Sequence, residues 1–256
     1  MEIFLQADAW IALLTLTFLE IVLGIDNIVF ISIAAGKLPK NKIHRATRIG
    51  LILAMIFRIL LLLGVSYLIS LKEPFYYINL PWFKAGITVQ SIILILGGLF
   101  LLYKSTSEIR QKVEASEVAD SSQNKTKVST LKMVIFQIVM IDIVFSFDSV
   151  LTAVGMTTGI NGALIIMVLA VIISMIVMMV FATPIGKFVN QHPTIQMLAL
   201  SFLILIGFML ITEGAHLSNA VIFNQQVGTV PKGYLYFAIA FSLGVEALNM
   251  KVRKKK

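Results

Sequence analysis

Long apolar runs alternate with short polar ones along the whole chain. A helix needs roughly 20 apolar residues to cross a bilayer, and it satisfies its own backbone groups there. Seven runs meet that length, at about 8–36, 49–71, 85–103, 133–156, 162–186, 195–212 and 233–250. "TTGING" (157–162) reads as the turn between the fourth and fifth. Residues 104–132 mix charges and are rich in Ser, which predicts a solvated cytoplasmic loop. Lys104, at the end of the third run, is expected to snorkel to the interface. Gly97 and Gly98 are expected to permit close helix packing. The pattern predicts an all-α membrane protein, a single domain over 1–256.

Composition agrees. Of 256 residues, 58% are hydrophobic and 13% charged, whereas soluble domains are about 25% charged. Mean hydropathy is +0.93. No cysteine is present, so there is no disulfide framework, thiolate metal site or iron–sulfur cluster. The start, "MEIFLQADAW", lacks a basic segment and reads as the beginning of the first span, not a cleaved signal.

The net charge of +8 comes from residues flanking the apolar runs. Of the 21 Lys and Arg, 17 fall in the first, third and fifth connections and the C-terminal tail 251–256, and only Lys72, Lys84 and Lys232 on the other side. That asymmetry places the N-terminus outside and the C-terminus in the cytoplasm. Attraction to acidic lipid headgroups accounts for the basic excess, so no nucleic-acid partner is expected.

Charges inside the runs matter more. "EIVLGIDNIVF" (20–30) carries Glu20, Asp26 and Asn27, and "DIVFSFDSVLT" (142–152) carries Asp142, Asp148 and Ser149. A shift of 122 residues superposes them: an acid, five residues, then Asp followed by a small polar residue. "LILGGLFLL" (94–102) likewise resembles "LILIGFMLI" (203–211). The chain therefore reads as two three-helix repeats, about 8–103 and 133–212, plus a seventh helix at about 233–250. Three is odd, so the repeats enter the membrane from opposite sides, and the binding site of such a design lies near the bilayer midplane.

A carboxylate at mid-helix costs roughly 2.5–3.5 kcal/mol on insertion scales. Four ionised acids would cost about 10–14 kcal/mol, against a net stability of about 5–15 kcal/mol. Arg58, the one basic residue placed deep in a run, balances one or two of them. The rest must be protonated or hold a cation; the structural alternative is pairing with Arg58 or hydrogen bonds to Ser and Thr. Carboxylates, the Asn27 amide, the hydroxyls of Ser146 and Ser149 and backbone carbonyls are hard donors, suited to Mg²⁺, Ca²⁺ or Mn²⁺. Glu20 and Asn27, seven apart, share a helix face, as do Asp142 and Ser149, but the six-residue acid pairs lie about 120° apart. A helix break at Gly24 and Ser146 is therefore expected, turning both acids of each motif inward. Glu246 and Asn249, three apart on the seventh helix, are further pathway candidates. His44, His192 and His216 fall in loops or at helix ends.

"LEIVLGIDNIVFI" and "IDIVFSFDSVLTAVGM" resemble the paired motifs of the TerC family of bacterial membrane proteins, and "ILGGLFLLYKSTSEI", "IGFMLITEG" and "GYLYFAIAFSLGVEALN" extend the likeness over nearly the whole chain. The resemblance implies a LysE-like transporter fold in the cytoplasmic (inner) membrane, a link to tellurium resistance in name, and Mn²⁺ export as a function. It maps the metal-binding role to Glu20, Asp26, Asn27, Asp142, Asp148 and Ser149. It also implies an alternative, an interaction protein that supplies Mn²⁺ to exported metalloenzymes at the secretion machinery. Mn²⁺ is then a substrate, with no permanently bound cofactor. The chain has no Walker A motif and no hydrolase constellation, so neither ATP-driven transport nor an enzyme is expected.

Overall fold

The computed structural model describes residues 7–64, 73–117, 130–157, 159–160 and 162–253; within these, the side chains of residues 23, 25, 26, 40, 115–117 and 253 lie outside the description. Among the described residues are seven helices long and apolar enough to cross a membrane. They are α1 (Ala7–Gly36), α2 (Lys40–Leu63), α3 (Val89–Glu117), α4 (Leu131–Thr157), α5 (Ala163–Gln191), α6 (Pro193–Leu217) and α7 (Lys232–Arg253).

The seven predicted runs each contain a helix, but several ends move. The first basic connection shrinks to Lys37–Pro39, because Arg45 and Arg48 belong to the first turns of α2. The third helix starts at Val89, since Phe83–Ile87 is a strand. It then continues to Glu117, so the expected loop 104–132 is helical over its first half. Polar pairs one turn apart explain the extension. Lys104 does not snorkel freely: its Nζ pairs with Glu108 Oε1 at 2.7 Å, and Glu108 is buried. Arg110 and Glu114 repeat the spacing at 2.6 Å on the exposed face. Gly159 and Gly162 carry the positive φ angles of the turn before α5.

The helices and strands fall into two compact units, each drawing on both halves of the chain. One unit, Met1–Ser70 with Lys127–Asn190, holds α1, α2, α4 and α5. Its packing runs in fixed register. A Cβ on Gly50 of α2 would lie 2.7 Å from Ile138 of α4, and Arg58 bonds Ser146, the same offset of 88 residues. Constant offset means that α2 and α4 are parallel. On α1, Gly24 faces Met178, Gly186 of α5 faces Ser32, and Gly36 faces Asn190, a constant offset of 154. So α1 and α5 are parallel too. α2 follows α1 after only Lys37–Pro39 and brings Arg58 back to Glu20, so that pair is antiparallel. It follows that α1 and α4, the two motif helices, run in opposite senses.

The other unit, Leu71–Thr126 with Gln191–Lys256, holds α3, α6, α7 and a small sheet. α3 and α6 are antiparallel and touch through glycines: a Cβ on Gly98 would lie 2.5 Å from the Gly207 carbonyl oxygen, and one on Gly214 would lie 2.9 Å from that of Ser91. The sheet, in the order β1 (Tyr76–Asn79), β2 (Phe83–Ile87), β3 (Val221–Ile222), β4 (Gln225–Gln226), is antiparallel throughout. Nothing in the apolar periodicity announces it. The β3–β4 turn places Phe223 and Asn224 at φ 48° and 64°, the type I′ geometry of two-residue hairpins.

Candidate cation site

On α1, steps of three and four bury Leu13, Leu16, Glu20, Gly24, Asn27 and Ile31 along one seam, while Ile11, Leu14 and Phe18 stay exposed, as a lipid-facing side would. α4 buries Ile138, Asp142, Ser146, Ser149 and Ala153 in the same rhythm. The motif polar groups thus sit on the packed faces of both helices. From α2, Arg58 enters between them, 2% exposed.

The Arg58 guanidinium is engaged at all three nitrogens. Nη1 donates to Glu20 Oε2, Nη2 to Asp142 Oδ1 at 3.0 Å, and Nε to Ser146 Oγ at 2.8 Å. The Ser146 hydroxyl in turn donates a hydrogen bond to Asp142 Oδ2 at 3.0 Å. Asn27 Nδ2 donates to Asp142 Oδ1 at 3.4 Å. Turning the amide over would set its carbonyl against a carboxylate, so this orientation is fixed by charge. It leaves Asn27 Oδ1 buried and, among the described residues, accepting no hydrogen bond. A buried acceptor in that state costs about 1–3 kcal/mol.

The cluster satisfies the demand that buried ions be paired, but not fully. Two carboxylates face one guanidinium, a net charge of −1 when all are ionised. Pairing with Arg58, the structural alternative, therefore accounts for one carboxylate charge and leaves another. Among the described residues the balance is left to a proton or a cation. Every remaining acceptor is a hard oxygen.

The other predicted site residues are placed differently. Ser149 is buried, but its hydroxyl donates to the Ser146 carbonyl at 3.3 Å, within its own helix. Asp148 is half-buried, its carbonyl accepting from Thr152 Oγ1 at 3.0 Å. The Asp26 side chain lies outside the described residues. Among the described residues, no three His, Asp or Glu side chains gather closely enough to hold an ion. The expected helix breaks are absent: α1 is continuous through Gly24 and α4 through Ser146. The physical reason is visible at both places. Ser146 uses its hydroxyl to bind Arg58 and Asp142, and Gly24 uses its missing Cβ to admit the Met178 sulfur. Glu246, half-buried, lines a groove with Thr194, Ser201 and Ser242 in the second unit, and Asn249 is exposed. His44 is exposed, and His216 Nδ1 lies 3.0 Å from the Val227 carbonyl oxygen. The contact of Met178 with Gly24 was not anticipated; the alignment of Gly24 with Ser146 was the one hint that a partner from another helix stands there.

Comparison with known proteins follows the same line. The chain is 46% identical over 249 residues to the UPF0053 inner membrane protein YgdQ of Escherichia coli K12, covering 97% of this chain and 95% of that one. It is 44% identical over 247 residues to a UPF0053 protein of Haemophilus influenzae, covering 96% and 95%. The UPF0053 protein YegH of Escherichia coli K12 is 42% identical over 97% of this chain but only 43% of its own length. No solved structure matches. The profile of the integral membrane protein TerC family matches residues 5–256, and the chain belongs to that family.

Proposed function

We propose that the protein exports a hard divalent cation, Mn²⁺ foremost, across the bacterial cytoplasmic membrane. The observation that carries this reading is the imbalance at Arg58: a buried cluster with one carboxylate charge too many and an amide oxygen, Asn27 Oδ1, that lacks a donor. A hard cation answers both needs at once. Glu20, Asp142 and Asn27 form the core of the proposed site, and Asp26 and Asp148 complete the proposed ligand set. Ser146 holds Asp142 in place.

The proposed orientation is N-terminus outside, C-terminus cytoplasmic. The ion enters from the cytoplasm, and two inverted repeats alternate its access to either side. The opposite senses of α1 and α4 support that arrangement. Binding of the ion displaces protons from the acids, which makes proton exchange the natural partner reaction.

The test is flux in liposomes. Purified protein should move Mn²⁺ without added factors, and more readily than Zn²⁺, with Mg²⁺ and Ca²⁺ measured alongside. Asp26→Asn and Asp148→Asn should each abolish that flux. Undiminished Mn²⁺ flux in both variants would refute the assignment.

A further inference from the structure

Arg58 occupies one oxygen of each carboxylate that an ion would use. An ionised carboxylate offers about two lone-pair sites per oxygen. At Asp142, Oδ1 already accepts from Arg58 Nη2 and Asn27 Nδ2, and Oδ2 accepts from Ser146. At Glu20, Oε2 accepts from Arg58 Nη1. We propose that Arg58 is a built-in competing cation, which holds Glu20 and Asp142 in the ion-free state and gives up at least one of them when a divalent cation binds. The inference rests on reading this cluster as the cation site.

Space favours exchange over addition, because three of the four sides of the Asp142 carboxylate are taken by donors. An ion that reaches Asp142 must displace one of them, and of the three Arg58 is the one whose positive charge the ion repels.

The exchange also gives the empty protein a way to reset. An exporter must return to its starting conformation without its metal ion. Two bare carboxylates would resist burial during that return. Arg58, rebound to both, supplies one positive charge, and the exchanged proton supplies the other. The residue stands on α2, and the acids on α1 and α4, so a change of partner alters how α2 is held within this unit. Arg58 is thus a positioning residue that links ion release to the reset.

Two variants of the full-length protein test this. In Arg58→Met the competitor is gone. Mn²⁺ titrated calorimetrically into detergent-purified protein, at about pH 8, well above the ordinary carboxylate range, should bind at least about fivefold more tightly than to wild type, the lower end of ordinary coupling between sites. Net efflux from liposomes should fall, while exchange of Mn²⁺ for Mn²⁺, which needs no empty return, should persist. Arg58→Lys keeps the charge but loses the planar fork that spans two carboxylates, so its affinity should fall between the other two. It also serves if Arg58→Met does not fold. Affinity equal to or weaker than wild type in the folded variants overturns the inference, as does failure of both wild type and variants to bind Mn²⁺. A tightened affinity with no flux in wild type would instead sink the export reading and leave the competing role of Arg58 standing.

Discussion

The two acidic motifs occupy matching places and are solvated in opposite ways. At the first position Glu20 and Asp142 share one guanidinium. Four residues on, they part. Ser146 on α4 binds Arg58 through its hydroxyl, while Gly24 on α1 receives the sulfur of Met178. Seven residues on, they part again: Asn27 reaches across to Asp142, while Ser149 turns back to its own helix. The motif on α4 is the polar centre of the unit; the motif on α1 is half apolar and lends its polar groups to the other. A repeat preserves where residues stand, but a single Arg has only one Nε, so at the fourth position one copy receives its hydrogen bond and the other is filled by a thioether.

The largest expected effect tests that inequality at the acids. Asp142→Ala takes the acceptor from Arg58 Nη2, Ser146 and Asn27 together, leaving Arg58 with Glu20 alone, and should cost about 3–5 kcal/mol, the range for breaking a buried pair. Glu20→Ala leaves Arg58 with Asp142 and should cost clearly less. Denaturant unfolding in detergent, followed by tryptophan fluorescence, would compare them. Equal losses would make the two motifs energetically equivalent and break the comparison.

A swap of the fourth positions comes next. Ser146→Gly removes two buried hydrogen bonds and should cost about 1–3 kcal/mol. Gly24→Ser puts a Cβ against the Met178 sulfur and should cost about 1–3 kcal/mol through overpacking. The two losses have different remedies. Met178→Ala should restore stability to Gly24→Ser and worsen Ser146→Gly. A double-mutant cycle reads the difference; additivity at Gly24 and Met178 would mean that no contact is made there.

Much of this was legible in the sequence, and the limits have physical causes. Apolar length set the seven helices, since lipid forces every backbone group to pair within its own segment. The 122-residue shift singled out Glu20 and Asp142, and being the one deep cation singled out Arg58. Gly98 was read as a packing residue and does meet Gly207. What escaped were features set by tertiary partners. The breaks at Gly24 and Ser146 were inferred from the need to turn acids six apart onto one face, but the fold brings Asp142 to Glu20 and leaves Asp148 on a neighbouring, half-buried face. The strands at 76–87 and 221–226 form two hairpins joined through β2 and β3, segments far apart in the chain, which hydropathy does not register. The extension of α3 past Tyr103 rests on charge pairs at four-residue spacing, and composition alone reads those as a loop.

The smallest effects sharpen the comparison at the seventh positions. Ser149→Ala removes a bond to a carbonyl that α4 already uses, so stability should change by no more than about 0.5 kcal/mol. Asn27→Ala is subtler. It loses the donor to Asp142, a cost of about 0.5–1.5 kcal/mol, yet also removes a buried acceptor that nothing satisfies, a gain of similar size. The net change without metal should therefore lie close to that of Ser149→Ala, despite the deeper burial of Asn27. With Mn²⁺ present the two should separate, because a carbonyl that binds the ion is stabilised by it and a hydroxyl turned to its own helix is not. Melting curves with and without Mn²⁺ would show this as a smaller metal-induced shift in Asn27→Ala. An identical shift in both variants would mean that the orphaned amide oxygen takes no part in holding the ion.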